Sequence, residues 1–468
     1  MWYLQEKELG QFRNGLLEIN CPSLALERQS PDEPRRYEGP GCIHQTPAGD
    51  LRMKVYCNDD RGCAETWAGK RIVLGQLIPK ESLYSLKAID FRGRSWEGRD
   101  IHCEFEFGVP TKGMLITGRL SEIKFTQSQQ YAFANAYLRM TVFSDIDVPR
   151  NTGTEAVFQE DGKEVLKKGA FNMAKFTACG HDFLLRINEH ELDIEVSAQT
   201  VDLGPNLSLR VIEALQFVAG TPINWSVLEE HQNGMEILRL RPVRKNLPKR
   251  YPRPPLGFSF IDQTGCFWQM CERYLSHILG YPEDKWHPLS ILVHRIHEAS
   301  NASPEAFALT CGVAVEGAIR QENPPDDDCS RFIQESLANL QEYLNKWDGA
   351  EQIKKRVRGA IRAMAHPRAK DGLKSLLSEG LITQEHYDAW DKLRNSSTHS
   401  DIPGSIQLQD FLVLCDKVMV LFNILVFRAI GYSGKYTDYG TLGWPTKDYP
   451  AARPASLESN EGATDGEP

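Results

Sequence analysis

The sequence predicts an α+β multidomain chain, a β-rich N-terminal domain followed by an all-α C-terminal helical bundle. Three observations carry this prediction. Apolar and polar residues alternate with period two through much of 70–200, and apolar residues recur at three- and four-residue spacing beyond 258. Between the two textures lies Arg239–Gly257, with five prolines and seven basic residues but no acidic one. Period two places apolar side chains on one face of a strand, and period 3.6 places them on one stripe of a helix. Proline removes a backbone donor and fixes φ, so the basic stretch reads as an extended connector. The chain therefore divides into 1–241 (β-rich), 242–257 (linker), 258–445 (helical) and 446–468, a tail too polar to pack and expected to be disordered.

In the first part, Ile101, Cys103, Phe105 and Phe107 alternate with His102, Glu104 and Glu106, and Leu192, Ile194 and Val196 with Asp193 and Glu195. Arg71–Ile78, Arg119–Phe125 and Tyr137–Phe143 are further strand candidates. One helix interrupts them, marked by Leu209, Ile212, Leu215 and Val218 after a cap at Asn206 or Ser208. In the second part, Ser303-Pro304-Glu305 opens a helix carrying Phe307, Cys311, Val315 and Ile319. Asp326, Asp327 and Asp328 offer caps for the next, whose stripe is Ile333, Leu337, Leu340, Leu344 and Trp347. Ile353, Val357, Ile361 and Met364 mark a third. Thr383 caps a shorter one with Tyr387, Trp390 and Leu393, and Phe411 to Ala429 form the last, closed by Gly431. Short connections between amphipathic helices predict a bundle.

Composition narrows the function. Of 468 residues, 41% are hydrophobic and 25% charged, an ordinary globular balance, and the formal charge is -9. An acidic chain is not coated with cations for nucleic acid, so any such binding must sit on a local cluster. The N-terminus lacks the basic and apolar regions of a signal peptide, and Val418–Phe427 covers about half the ~20 residues of a membrane span. Eleven cysteines without a CxxC pair fit reduced thiols and a cytoplasmic location. Neither a P-loop nor a G-x-S-x-G elbow occurs, and the order His294-x-x-His297-Glu298 matches no zinc-protease motif.

The most informative segment is Leu393-Arg394-Asn395-Ser396-Ser397-Thr398-His399, at a helix end before Pro403-Gly404. Residues five apart point about 140° away from each other on a regular helix. Arg394 and His399 therefore converge only where the helix frays or bulges. Together they suit RNA cleavage, in which the ribose 2′-OH loses a proton as it attacks phosphorus and the 5′-oxygen gains one. Histidine serves as base or acid near neutrality, and arginine binds phosphate oxygens and offsets developing charge. The nucleophile belongs to the substrate, so the reaction needs no cofactor. The alternative is a helix C-terminus at which two basic residues complement the dipole.

Arg394-Asn395-x-x-x-His399 at a helix end in a C-terminal bundle resembles the R-x(4–6)-H signature of HEPN domains, and Phe307–Arg320, with Glu316 at its middle, resembles their first long helix. The likeness covers roughly 290–430. It implies a metal-independent endoribonuclease that assembles as a homodimer or higher homo-oligomer. Arg394 would bind phosphate, His399 transfer the proton and Asn395 orient one of them, with Glu316 in support. Paired protomers would offer one His399 as base and the other as acid. A β-rich half ahead of such a domain is similar to ApeA-like bacterial defence proteins, which implies an abortive-infection toxin acting on RNA, with tRNA among the candidates. The N-terminal half would then be a sensing or regulatory domain for a phage-derived trigger. The other reading is a non-catalytic HEPN-like dimerisation or RNA-binding module.

Two further patterns matter. Lys354, Lys355, Arg356, Arg358, Arg362, Arg368, Lys370 and Lys374 face a single acid, Asp371, within 354–374. Lys354, Lys355, Arg358, Arg362 and Arg368 are the expected RNA-backbone contacts; the alternative is a solvated helix face. Cys42, His44, Cys57 and Cys63 have the ligand types for zinc but not the tight spacing, so unpaired thiols are the expected state.

Overall fold

The computed structural model describes residues 6–32, 34–58, 77–107, 113–128, 135–160, 163–188, 190–198, 200, 202–204, 206–243, 252–257, 265–282, 284–322, 327–364, 368–398 and 407–450. The protein is α+β, with a large antiparallel sheet in its N-terminal half and helices in its C-terminal half. Two compact units result, one of 1–208 with 223–247 and the other of 209–222 with 248–468.

Among the described residues, the first unit contains a 15-stranded antiparallel sheet. Seven of its strands are β1 (Glu18–Arg28), β2 (Arg36–Gln45), β3 (Leu51–Asn58), β4 (Tyr84–Ile89), β5 (Ser95–Ile101), β6 (Cys103–Phe107) and β7 (Gly113–Leu120). They pair in the order β5-β4-β1-β2-β3-β7-β6. Only His102 separates β5 from β6, so the two ends of this run are one bent strand and the ladder closes into a small barrel. Leu24, Ile43, Met53, Trp96, Ile101 and Ile116 fill the interior. At the bend a side chain at Gly118 would come within 2.7 Å of Ile101 and Met53, so glycine lets the strands meet.

The sheet continues from β5 through β8 (Ile123–Ser128), β15 (Met235–Leu240), β14 (Val227–Gln232), β9 (Tyr137–Val142), β13 (Glu191–Ala198), β12 (His181–Asn188), β11 (Lys163–Ala178) and β10 (Thr152–Glu160). Two expected strands are broken at turns. Ile101–Phe107 bends at His102, and Arg119–Phe125 is two strands joined at Ser121 and Glu122. The alternation runs unbroken through the corner at His102, between buried Ile101 and Cys103, whereas at the second corner it skips a residue, with Ser121 and Glu122 both polar between buried Leu120 and Ile123. Of Arg71–Ile78, residues 71–76 lie outside the described residues. Helix α1 (Glu6–Arg13) precedes the barrel and is fixed to it by Glu8, which binds Arg92 and Arg94 at 2.9 and 3.1 Å.

The second unit begins with α2 (Leu207–Ala219), whose residues from 209 group with the helical part rather than with the β-rich range 1–241. Its further helices are α3 (Cys266–Leu279), α4 (Pro288–Ser300), α5 (Pro304–Glu322), α6 (Asp327–Lys346), α7 (Glu351–Met364), α8 (Ala369–Ser378), α9 (Gln384–Thr398) and α10 (Leu408–Ala429). Ser303 caps α5 by accepting from the Ala306 amide at 3.1 Å, and Thr383 caps α9 by accepting from the His386 amide at 3.4 Å. Helix α5 is central and packs on α4, α8, α9 and α10. It buries the small residues Ala308, Cys311, Ala314 and Ala318, which let neighbours approach closely. A side chain at Gly317 would meet Leu292 of α4 at 2.9 Å.

Burial corrects one expectation and strand pairing another. On α6, Leu344 is buried, whereas Leu340 and Trp347 of the same stripe are exposed. The tail is not polar coil from 446: Thr446–Tyr449 form β17, paired antiparallel with β16 (Gly434–Thr437). Residues 451–468 lie outside the described residues. This hairpin clamps the end of the linker. The Thr437 amide donates to Pro255 O at 3.0 Å, and the Arg253 guanidinium lies 3.9 Å from the Trp444 ring centre.

Candidate active site

Helices α5 and α9 meet through two rungs, each one helical turn from the next. In the inner rung the indole of the buried Trp390 donates to Gly312 O at 3.2 Å. In the outer rung, four residues on along both helices, Arg394 Nε donates to Glu316 Oε1. Residues at i and i+4 share a helix face, so the spacing alone stacks the two contacts. The Arg394 guanidinium also lies 5.9 Å from the Trp390 ring centre. One turn further along α5, Arg320 reaches back to Glu316 Oε2 at 3.6 Å.

The outer rung is open to solvent. Arg394 is 46% and Arg320 65% exposed, against 19% for Glu316. One carboxylate thus stands between two guanidiniums near the C-terminal ends of both helices. Negative helix termini favour cations there. Glu316 engages Arg394 through Nε, and a guanidinium presents to phosphate oxygens the bidentate edge that suits them. Arg320 was not singled out from sequence; its i+4 spacing from Glu316 was the available signal.

Sequence therefore named two groups that the fold brings together, Arg394 and Glu316. Helix α9 stays helical through Thr398, so Asn395 lies on the helix one residue past Arg394, and its side chain is outside the described residues. His399 lies outside the described residues.

The basic stretch is less open than its composition suggests. Lys354 Nζ lies 3.2 Å from Glu351, and Arg358 lies 3.8 Å from the same carboxylate and donates to Asn345 at 3.4 Å. Lys355 and Arg368 are exposed, and the Arg362 side chain is outside the described residues. Lys370 pairs with Asp391 of α9 at 3.0 Å. Of the four zinc-type residues, Cys42 Sγ and His44 Nδ1 lie 3.9 Å apart, while the Cys57 thiol points at Met114 O at 3.8 Å. Cys63 lies outside the described residues, and among those described no group of three His, Cys, Asp or Glu side chains could hold a metal ion. Burial raises the Cys42 thiol above its ordinary pKa and lowers that of His44.

A second polar cluster lies inside the same unit. Arg210 Nη1 donates to Glu213 at 2.6 Å and its Nη2 to Lys285 O at 2.7 Å. Glu213 also accepts from the His287 amide at 3.1 Å and from Ser290 Oγ at 2.9 Å, and the Tyr274 hydroxyl lies 3.0 Å from Ser290 Oγ. Burial pushes the Glu213 carboxyl above its usual range, against the pull of Arg210, Ser290 and the His287 amide. No substrate can reach this cluster, because both side chains are fully buried.

Among the described residues, no helix is long and apolar enough to cross a membrane. No family model, curated protein or solved structure matches the chain.

Proposed function

We propose that the protein is a metal-independent endoribonuclease of the HEPN type. In this reading it is the RNA-cutting effector of a bacterial anti-phage system, and its β-rich half responds to a phage-derived trigger. The observation that supports it most is the exposed Arg394, tethered by Glu316 at the end of α9 and five residues before His399. Arg394 holds the scissile phosphate by its terminal nitrogens, with Arg320 adding positive charge. His399 takes the proton from the ribose 2′-OH, and a second His399 across a homodimer gives one to the leaving 5′-oxygen. Asn395 orients one of these groups. The products carry a 2′,3′-cyclic phosphate or 3′-phosphate and a 5′-hydroxyl. Leu309 and Val313, both exposed, stand on the same face of α5 as Glu316 and Arg320, which suits a dimer formed around this end.

A non-catalytic dimerisation or RNA-binding module is the second reading. The ion pair that engages Arg394 favours it, as does helix continuing to Thr398, which keeps the last residues before His399 in regular geometry. Incubation of purified protein with total tRNA and a structured messenger RNA in excess chelator separates the two. The nuclease reading predicts cleavage that vanishes in His399→Ala and leaves the stated ends. Cleavage that persists in that variant contradicts the assignment. An inactive wild-type protein, also tested with RNA from phage-infected cells, supports the binding module.

A further inference from the structure

The mouth of the closed barrel forms a separate candidate site in the β-rich unit. The β2–β3 turn (Pro47, Ala48, Asp50), the β5–β6 corner (Asp100, His102) and the β7–β8 turn (Leu120, Ser121) converge there with the segments on either side of the β14–β15 hairpin. They enclose about 940 Å³, which lies within the ~300–1,000 Å³ usual for small-molecule sites. Buried Leu120, Trp225 and Val243 make the floor. Backbone bonds hold its shape: the Val243 amide donates to Gly49 O at 2.9 Å, and the Arg241 amide to Ser226 O at 2.8 Å. Gly49 has φ +89°, and a side chain there would strike Val243 O, so only glycine allows this closure.

Two guanidiniums border the cavity. Arg241 lies over the Trp225 ring, 3.8 Å from its centre, and its Nε donates to Glu122 at 2.8 Å. Its position is thus fixed on one face and one edge, while the side chain stays 45% exposed. Arg119 donates to Asp50 at 2.6 Å through a single nitrogen and is 69% exposed. At the rim, Asp100, His102 and Asn224 are exposed and have no side-chain partner among the described residues.

Each feature asks for a part of one ligand. A guanidinium seated over an indole and tied by Glu122 offers its outer face as a stacking platform for a planar base. An exposed arginine that spends one nitrogen on Asp50 keeps donors that suit a phosphate. Unpartnered carboxylate, amide and imidazole groups suit hydroxyls and base edges. Asp50, Asp100 and Glu122 outnumber the two arginines, three charges to two, so the mouth is no track for a polyanion, and Arg119 can match one phosphate group at most. We propose that the barrel mouth binds a nucleoside monophosphate, with its base stacked on Arg241 and its phosphate on Arg119.

Isothermal titration of the full chain with the four ribonucleoside monophosphates tests this, with the nucleosides and inorganic phosphate as controls. At least one nucleotide is expected to bind more tightly than its nucleoside and than phosphate. Arg119→Gln should weaken it at least tenfold and leave the nucleoside unaffected. Arg241→Lys, which keeps the charge but removes the planar face, should also weaken it at least tenfold, with the thermal midpoint of both variants unchanged. Arg394→Ala should leave binding intact, since that residue lies in the other unit. Absence of binding by all four at millimolar concentration would overturn the proposal, as would phosphate binding equally well. Loss of binding in Arg394→Ala, or indifference to both barrel substitutions, would overturn it too.

Discussion

Two arginine–glutamate pairs in the helical unit share their chemistry and differ in setting. Arg210 and Glu213 are fully buried, three residues apart on α2, with partners from the Lys285 carbonyl, the His287 amide and Ser290. Arg394 and Glu316 join two helices, and the arginine is half in water. Buried charges that lose a partner cost about 3–5 kcal/mol, whereas exposed pairs contribute about 0.2–1 kcal/mol. The first pair therefore fixes α2 in the helical unit, and the second stands half in water and contributes little to the fold.

The comparison is easiest to break at the buried pair. Glu213→Ala should cost about 3–5 kcal/mol in urea unfolding, because Arg210 is then left charged and buried. Replacing both residues, as Arg210→Met with Glu213→Leu, should recover much of that loss. A cost under about 1 kcal/mol for the single change would place the buried pair with ordinary surface pairs.

His297 supplies the next effect. It is buried on α4, and burial, followed by the neighbouring His294, lowers its pKa to about 3. Its folded pKa lies below the unfolded value of about 6.5, so the unfolded chain binds the extra proton first. Stability is thus fully present above pH 6.5 and falls with acid toward pH 3, by at most about 1.4 kcal/mol per pH unit from this group. His297→Gln should flatten that limb of a stability–pH curve. An unchanged limb would assign the acid sensitivity to other groups.

The smallest effect on the fold is expected at the exposed pair. Glu316→Gln should change stability by less than about 1 kcal/mol. It should lower RNA cleavage about tenfold, because a neutral amide orients Arg394 Nε less firmly than a carboxylate does. Equal cleavage rates would make Glu316 a bystander.

Part of this contrast was legible in the sequence. Period-two alternation and the Ser303 and Thr383 caps are local signals, and they marked strands and helix starts where the structure has them. The corner at His102 was hidden because apolar residues keep their alternation through it, whereas the one at Ser121 left a signal, the polar pair Ser121-Glu122 that breaks the period. Helix α3 has a glycine at its N-cap with no side-chain bond, and α8 is only 10 residues long and contains Gly372, so neither announces its ends. On α2, Arg210, Glu213 and Gln216 recur every three residues like a solvated face, yet all are buried. Only the arrival of Ser290 and the carbonyl of Lys285, some 75 residues later, makes that possible. At the candidate site, Arg394 and Glu316 could be named from the motif, but their pairing is tertiary and Arg320 carried no motif of its own.

The most direct test of the account is Arg394→Ala, measured for RNA cleavage in chelator and for thermal unfolding side by side. The account predicts cleavage reduced by about 10²–10³-fold, as for loss of a group that stabilises transition-state charge. The melting temperature should move by no more than a few degrees. Cleavage at the wild-type rate, or a collapse of stability like that expected for Glu213→Ala, would contradict it.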